Sequence, residues 1–441
     1  SFHFRSELCS LVSAKNITIQ FSFDNNVNLI RSIWIQAYCV CFSGEMANSE
    51  YLSKDILDDN YIKSFAPFHY IQMALGTCRV HIKDKFVSSP TIAQKLYTSC
   101  CAVATLALYF YSTQSYFLIY YDIRGLYVMS ITIIIISYFT FLFNIVHLRF
   151  VNNDTNPKFY VQLQKIDRLM NVNENKILSN ILHINNSMSV LVVMMTLSIT
   201  FCIIIYKNVS YLIGFMGLLY SVVTCTVEWM HCADLMMYFF IRIRFINAII
   251  ENHLRGKVGP VKSKAVNIPT HYFIRCLASE THDFQTNSVD LYLQALFQGF
   301  SSFQKHYRFQ MLLFCNEFVL TSVLTFESGL IALQKNALHW TEFATLPTIF
   351  ICNLLMSLFI CIRCEVFYRE TKRTKRLCVT LMARYCAGPL REKGKRMLKT
   401  MEQQPLEFNV YNMWDMNAPT LISMLNIITS MMVVLLQFAF L

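Results

Sequence analysis

The chain has 441 residues, is 55% hydrophobic, has a mean hydropathy of +0.40 and carries a formal net charge of +11. That composition excludes an ordinary soluble domain and marks an integral membrane protein, in which a positive surplus reports loop asymmetry before any nucleic-acid role. With only 11 Gly and 9 Pro, the chain predicts long continuous helices, and no internal repeat is visible.

Residues 1–45 are mixed in character and hold no cleavable signal pattern. Met46 precedes an acidic stretch (Glu50, Asp55, Asp58, Asp59) that reads as a native start, with the preceding residues coming from upstream sequence. Residues 65–89 read as a short amphipathic lead-in carrying Arg79, Lys83 and Lys85. Seven apolar runs follow, at 96–112, 126–148, 188–206, 211–227, 309–333, 343–362 and 418–441. The expected fold class is thus an all-α integral membrane protein with seven transmembrane helices. The fourth run is followed at once by Glu228, His231 and Asp234, yet the apolar pattern resumes through Phe240 to Ile250, so this helix should extend well past the membrane.

Charge chooses the direction. Of the 38 Lys and Arg, all but Arg124, Lys207 and Lys335 fall on one side when the amino end is placed in the cytoplasm. The positive-inside rule therefore sets the amino end inside and, after seven crossings, the carboxyl end outside, the reverse of G-protein-coupled receptors. The division expected is a cytoplasmic amino segment (1–95), a six-helix bundle with cytoplasmic extensions (96–362), a cytoplasmic anchor (363–417) and a last helix (418–441). Asn208 heads the only sequon on the outer side; those at Asn16, Asn153 and Asn185 lie inside and should be unmodified.

The inner loops carry mass. Residues 159–170 place Leu163, Ile166 and Met170 at helical spacing, and Asp167-Arg168 reads as an ordinary polar helix face. The basic stretch 369–399 reads as a solvated face attracted to anionic inner-leaflet lipid. The 16 cysteines do not suggest a disulfide framework, and Cys361 and Cys364 read as helical spacing rather than half of a zinc site.

Two carboxylates lie inside the apolar runs, Glu317 and Glu327, both in the fifth. Intramembrane carboxylates are costly and usually functional. Glu317, Thr321, Thr325 and Ser328 share a helix face, either as the polar wall of a ligand cavity open to the outside or as hydrogen-bonding glue between helices. Glu228, His231 and Asp234 share another; this reads as a helix becoming wet on leaving the bilayer, with a metal site as the alternative.

The last run is about 36 Å long as a helix, enough to cross a core of about 30 Å. It contains no charge, and Ser423, Asn426, Ser430 and Gln437 fall within about 60° on a helical wheel. Such a stripe suits a cation pore built from several copies of the helix, or a helix glued into a bundle.

Residues 430–438, preceded by Glu407-Phe408 and Asp415, resemble the last helix of the insect gustatory receptor family, which carries a Thr-Tyr, five-apolar, Gln-Phe signature. Here Ser430 stands at the Thr, Met431 at the Tyr, then five apolar residues, Gln437 and Phe438. Ser430 keeps the hydroxyl; Met431 loses the phenol. Phe68-His69-Tyr70-Ile71-Gln72 looks like the family's lead-in, and the resemblance spans residues 65–438. It implies a tastant-gated, non-selective cation channel in the plasma membrane, assembled as a homo- or heterotetramer. Ser423, Asn426, Ser430, Gln437 and Phe438 would line or gate the pore, and inner extensions would pack as an anchor. A ligand pocket in the outer half of the bundle would draw on Tyr211, Glu327 and Ser328, beside Glu317, Thr321 and Thr325. The ligand would be a small-molecule tastant; the departures at Ser430 and Met431 lean to bitter plant compounds over sugars. No cofactor, enzymatic activity or nucleic-acid partner is implied, and membrane lipid is the remaining partner. The alternative class is a seven-helix G-protein-coupled-type receptor.

Overall fold

Scarcity of helix breakers has the effect the sequence predicts. In a computed structural model describing residues 57–119, 124–170, 176–207, 209–255, 288–334, 340–404 and 406–440, nearly all regular structure is helical. Helix α1 (Asp59–Ala74) leads into a hairpin of β1 (His81–Lys83) and β2 (Phe86–Ser88). The turn puts Asp84 and Lys85 at φ 50° and 69°, and Ile82 pairs with Val87. Then come α2 (Ile92–Ile119), α3 (Arg124–Val146) with a π-helical turn (His147–Val151), α4 (Thr155–Leu169), α5 (Lys176–Lys207), α6 (Val209–Arg255), α7 (Val289–Gln334), α8 (Trp340–Arg384) and α9 (Pro389–Gln403). A small hairpin, β3 (Asn409–Val410) and β4 (Trp414–Asp415), precedes α10 (Ala418–Phe440).

Each of the seven apolar runs falls in a helix of its own, the second continuing into the π turn. Among the described residues, four stretches are long and apolar enough to cross a membrane: Arg124–Val151, Val289–Gln334, Phe350–Arg384 and Ala418–Phe438. Helices α6, α7 and α8 have 47, 46 and 45 residues. At 1.5 Å per residue each is about 70 Å long, more than twice a bilayer core, so much of each lies beyond its apolar run.

The core is densest in these extensions. From Cys225 to Ile250, α6 is buried on nearly every side, as a helix apolar all round must be. It packs with Phe297, Phe300, Phe303 and Tyr307 of α7 and Phe367 of α8. Phe300 stacks on Phe367 at 5.1 Å and Phe303 meets Phe408 edge-on at 5.4 Å. Burial of each such ring contributes about 1.5–3 kcal/mol. Gly299 permits the approach of α4, since a Cβ there would stand 2.5 Å from Ile166 Cδ1.

Three local expectations are corrected. The stretch 65–89 is a helix plus a hairpin, and Arg79 is buried rather than on a polar face. Leu163, Ile166 and Met170 do form the buried face of α4, but Asp167 is buried beside them. It accepts from Arg242 Nε and Nη2, both at 2.9 Å, and from Tyr238 Oη at 2.8 Å, so it belongs to an ion pair inside the core and not to a solvated face. The readings of residues 1–45 and of the sequon at Asn208 fall outside the described residues.

Candidate functional site

Helix α10 hangs from the rest of the chain by its amino end. Asn417 caps it: its Oδ1 accepts from the Thr420 N–H at 3.0 Å, satisfying a donor the first turn leaves open. The hairpin before it is fastened to α7 and α8. Gln304 Nε2 donates to the carbonyls of Glu407 and Asn409 at 3.2 and 3.1 Å. The Phe408 N–H donates to Tyr368 Oη at 2.6 Å, and the Arg308 guanidinium lies 5.0 Å from the Tyr411 ring centre. Tyr411 and Asn412 take φ of 52° and 59° to turn the hairpin. Thus Glu407, Phe408 and Asp415, which precede the family-like motif in sequence, form the structural mount of the helix.

Above that mount α10 touches its own chain on one narrow face. Leu421 and Ile428 are buried, while Met424, Leu425 and Met432 pack partly against α7 and α8. At 100° per residue these five cover an arc of about 100°. Ser423, Asn426, Ser430 and Gln437 are all exposed and lie on the opposite side of the wheel, their mean direction about 180° from the packed arc. Phe438 is 83% exposed. The stripe is therefore not glue within its own bundle; it points away from the chain.

The polar face of α7 is drawn inward. Thr321 Oγ1 donates to the Glu317 carbonyl at 2.6 Å, and Ser328 Oγ to the Thr325 carbonyl at 2.8 Å. These hydroxyls bond to their own helix, not across helices. Thr321, Thr325 and Ser328 are buried, and Glu317 and Glu327 are half-buried. Glu317 Oε2 is buried with no hydrogen-bond partner. Tyr211 lies on α6, with its side chain outside the described residues.

The Glu228, His231, Asp234 set is corrected outright. None of the three is wet; all are buried. Glu228 receives Arg79 Nη2 at 2.8 Å, Arg79 Nε at 3.2 Å and Gln72 Nε2 at 2.8 Å. Arg79 Nη2 also reaches Gln310 Oε1 at 3.1 Å, and its Cζ lies 4.2 Å from the centre of the Tyr307 ring. Burial opposes the Arg79 charge, but Tyr307 and Glu228 outweigh it and hold the guanidinium above its ordinary value. Burial, with Arg79 nearby, drives His231 well below its ordinary value, so the ring is neutral, with Nδ1 2.8 Å from Tyr307 Oη. Asp234 sits apart from these two, accepting from Asn185 Nδ2 at 2.8 Å with Arg363 at 3.9 Å. Among the described residues no group of three metal-ligating side chains converges. Cys361 and Cys364 are buried free thiols on α8. This layer ties α1, α6 and α7 together, and its sequence signal was the unbroken apolar pattern of α6 on both sides of it.

A largely helical chain with several apolar spans, the last of them held on one narrow face, defines a multi-pass membrane protein. Residues 69–441 match the profile of the 7tm Chemosensory receptor family, and the chain belongs to that family. The fold is similar to that of the insect olfactory receptor OR5 from Machilis hrabei, solved in complex with eugenol: 12% identity, 86% of this chain and 100% of that chain covered, TM-score 0.55. No curated protein matches the chain. The family is one of insect chemosensory receptors, which are ligand-gated cation channels and not enzymes, so a G-protein-coupled receptor is disfavoured.

Proposed function

We propose that this chain is a gustatory receptor subunit of a tastant-gated, non-selective cation channel, with α10 lining the pore. The observation that carries the reading is the direction of the α10 stripe: Ser423, Asn426, Ser430 and Gln437 face away from the chain that bears them. Around a symmetry axis, several copies would turn those faces inward to make a hydroxyl and amide path with hydrophobic positions between. A tetramer, homomeric or heteromeric, in the plasma membrane is the expected assembly. Charge asymmetry supports seven crossings with the amino end inside and the carboxyl end outside, which puts Gln437 and Phe438 near the outer mouth as the gate.

The ligand is a small molecule bound in the outer half of the bundle, with Tyr211, Glu317, Thr321, Thr325, Glu327 and Ser328 as the candidate contacts. Bitter plant compounds are favoured over sugars by the Ser430 and Met431 departures from the family ending. The basic stretch 369–399 serves the cytoplasmic anchor, with its solvated face drawn to anionic inner-leaflet lipid. Expression in cells with a compound screen by calcium imaging should give ligand-evoked cation entry. Gln437→Ala should change ion selectivity or gating without loss of surface protein; unchanged permeation would remove Gln437 from the pore.

A further inference from the structure

At the inner ends of the third and sixth apolar runs, α5 and α8 meet over α6 with an arginine between them. Val190 of α5 and Met356 and Phe359 of α8 pack on one small cluster that includes Val223, Val227 and Met230 of α6. One residue past the sixth run, Arg363 of α8 reaches across: its Nη2 donates to Asn185 Oδ1 of α5 at 2.8 Å. Its Cζ lies 4.8 Å from the Phe359 ring centre. Asn185 Nδ2 in turn donates to Asp234 Oδ1 of α6 at 2.8 Å.

The guanidinium has donors to spare. Of the five N–H groups an arginine carries, the bond to Asn185 uses one, and it is the one hydrogen bond Arg363 makes among the described residues. Asp234 stands 3.9 Å off, beyond hydrogen-bond range, and its side chain is 1% exposed against 19% for Arg363. The carboxylate therefore lies behind the arginine, and the free donors are reached from in front. That front is apolar and open. Ile184 and Met188 of α5 and Leu355 and Ile362 of α8 are exposed. On a helical wheel Ile184 and Met188 lie about 40° and 80° from Asn180, inside the arc of about 140° between Asn180 and Asn185. Asn180 Oδ1 receives Lys63 Nζ of α1 at 3.4 Å, so the apolar strip of α5 has a cation on either flank at its inner end. An apolar strip at membrane depth takes acyl chains, and an arginine fork at its inner end takes a phosphate. An anionic phospholipid fits both parts and brings no net-neutralising ammonium of its own to face Arg363 and Lys63.

We propose that the face of α5 and α8 between Lys63 and Arg363 holds an anionic phospholipid of the inner leaflet. Its phosphate sits on Arg363, and its acyl chains run along Met188, Leu355 and Ile362. The site is separate from the α10 path. It rests on the membrane-spanning reading with the amino end inside, not on channel activity.

The test places the full chain in phosphatidylcholine vesicles with a minor share of brominated phosphatidylserine or brominated phosphatidylcholine, whose chains quench a tryptophan they touch. Met188→Trp reports the site. Phe143→Trp, on the exposed inner end of α3, reports lipid elsewhere, and the wild-type chain with its 4 native Trp is the baseline. One arginine at the headgroup level favours an anionic lipid about fivefold. Met188→Trp should therefore be quenched at that much less phosphatidylserine than phosphatidylcholine, while Phe143→Trp is quenched equally by the two. Adding Arg363→Gln to Met188→Trp should erase the preference, and adding Lys63→Gln should reduce it. Equal quenching of Met188→Trp by the two lipids would overturn the site. So would a preference that survives Arg363→Gln, or one as large at Phe143→Trp, which would mean that the basic stretch draws anionic lipid to the whole inner surface. The two tryptophan reporters decide the matter even if Arg363→Gln fails to fold. No quenching by either lipid at either position would bring down the membrane-spanning reading together with the site. Quenching without preference would bring down the site alone, and a preference without ligand-evoked current would uphold it while the channel reading fell.

Discussion

The buried layer beneath the apolar runs and the stripe on α10 use polar residues in opposite ways. In the layer, Arg79, Glu228, Gln72, Gln310, His231 and Tyr307 are linked by hydrogen bonds inside one chain, with Gln310 Nε2 alone of their donors left buried and unpartnered among the described residues. On α10, Ser423, Asn426, Ser430 and Gln437 are exposed, and the face that carries them packs on no neighbour among the described residues. The first pattern holds helices at fixed positions; the second is what a helix shows when its partners are other copies or water. The contrast predicts that substitutions in the layer should cost folding and leave permeation alone, while substitutions in the stripe should do the reverse.

The largest effect expected is at Glu228. Removing one member of a buried, hydrogen-bonded ion pair strands the other charge and costs about 3–5 kcal/mol. Glu228→Ala should therefore abolish surface expression, and a variant that reaches the surface with wild-type thermal stability would show that the layer is wet after all. Next comes the second buried pair. Asp167→Ala and Arg242→Ala should each destabilise strongly, and the double variant should cost clearly less than the two together, because neither charge is then left alone. Strict additivity in unfolding midpoints would mean the pair does not interact.

Asp234 gives a pH test of the same region. Burial pushes its carboxyl up to about 6 from the ordinary 3.8, against the pull of Ser189, Arg363 and Asn185. The folded state then holds the proton more tightly than the unfolded chain. Its contribution to stability is best at low pH and falls as pH rises toward about 6, by at most about 1.4 kcal/mol per pH unit. Thermal midpoints should show that slope in the wild type and a flatter one in Asp234→Asn. A smaller effect belongs to the mount of α10: Asn417→Ala removes the cap and should cost about 1 kcal/mol, with ligand responses shifted but present.

Much of the architecture is legible in the sequence, since apolar run length and helix-breaker scarcity act locally. That is why each of the seven runs falls in its own helix and α6 continues to Arg255. The α10 stripe was legible for the same reason: its spacing alone puts four polar residues on one face. What was misread is polarity whose partner is remote. Glu228 and Arg79 are 149 positions apart and Asp167 and Arg242 are 75 apart, so helical periodicity saw only a helix leaving the bilayer at Glu228 and an ordinary polar face at Asp167. The glue-or-cavity choice at Thr321 and Ser328 was open to a third answer, bonding back to the helix's own carbonyls, which spacing alone does not reveal.

The central claim is that the outward stripe of α10 lines the ion path. Cysteine substitution tests it most directly, with a charged thiol reagent applied to expressing cells and the wild-type receptor, with its native thiols, as the baseline. Ser423→Cys, Asn426→Cys, Ser430→Cys and Gln437→Cys should each make the ligand-evoked current sensitive to the reagent, while Leu421→Cys and Ile428→Cys on the packed face should not. Currents indifferent to the reagent at all four stripe positions, or sensitive only on the packed face, would contradict the account.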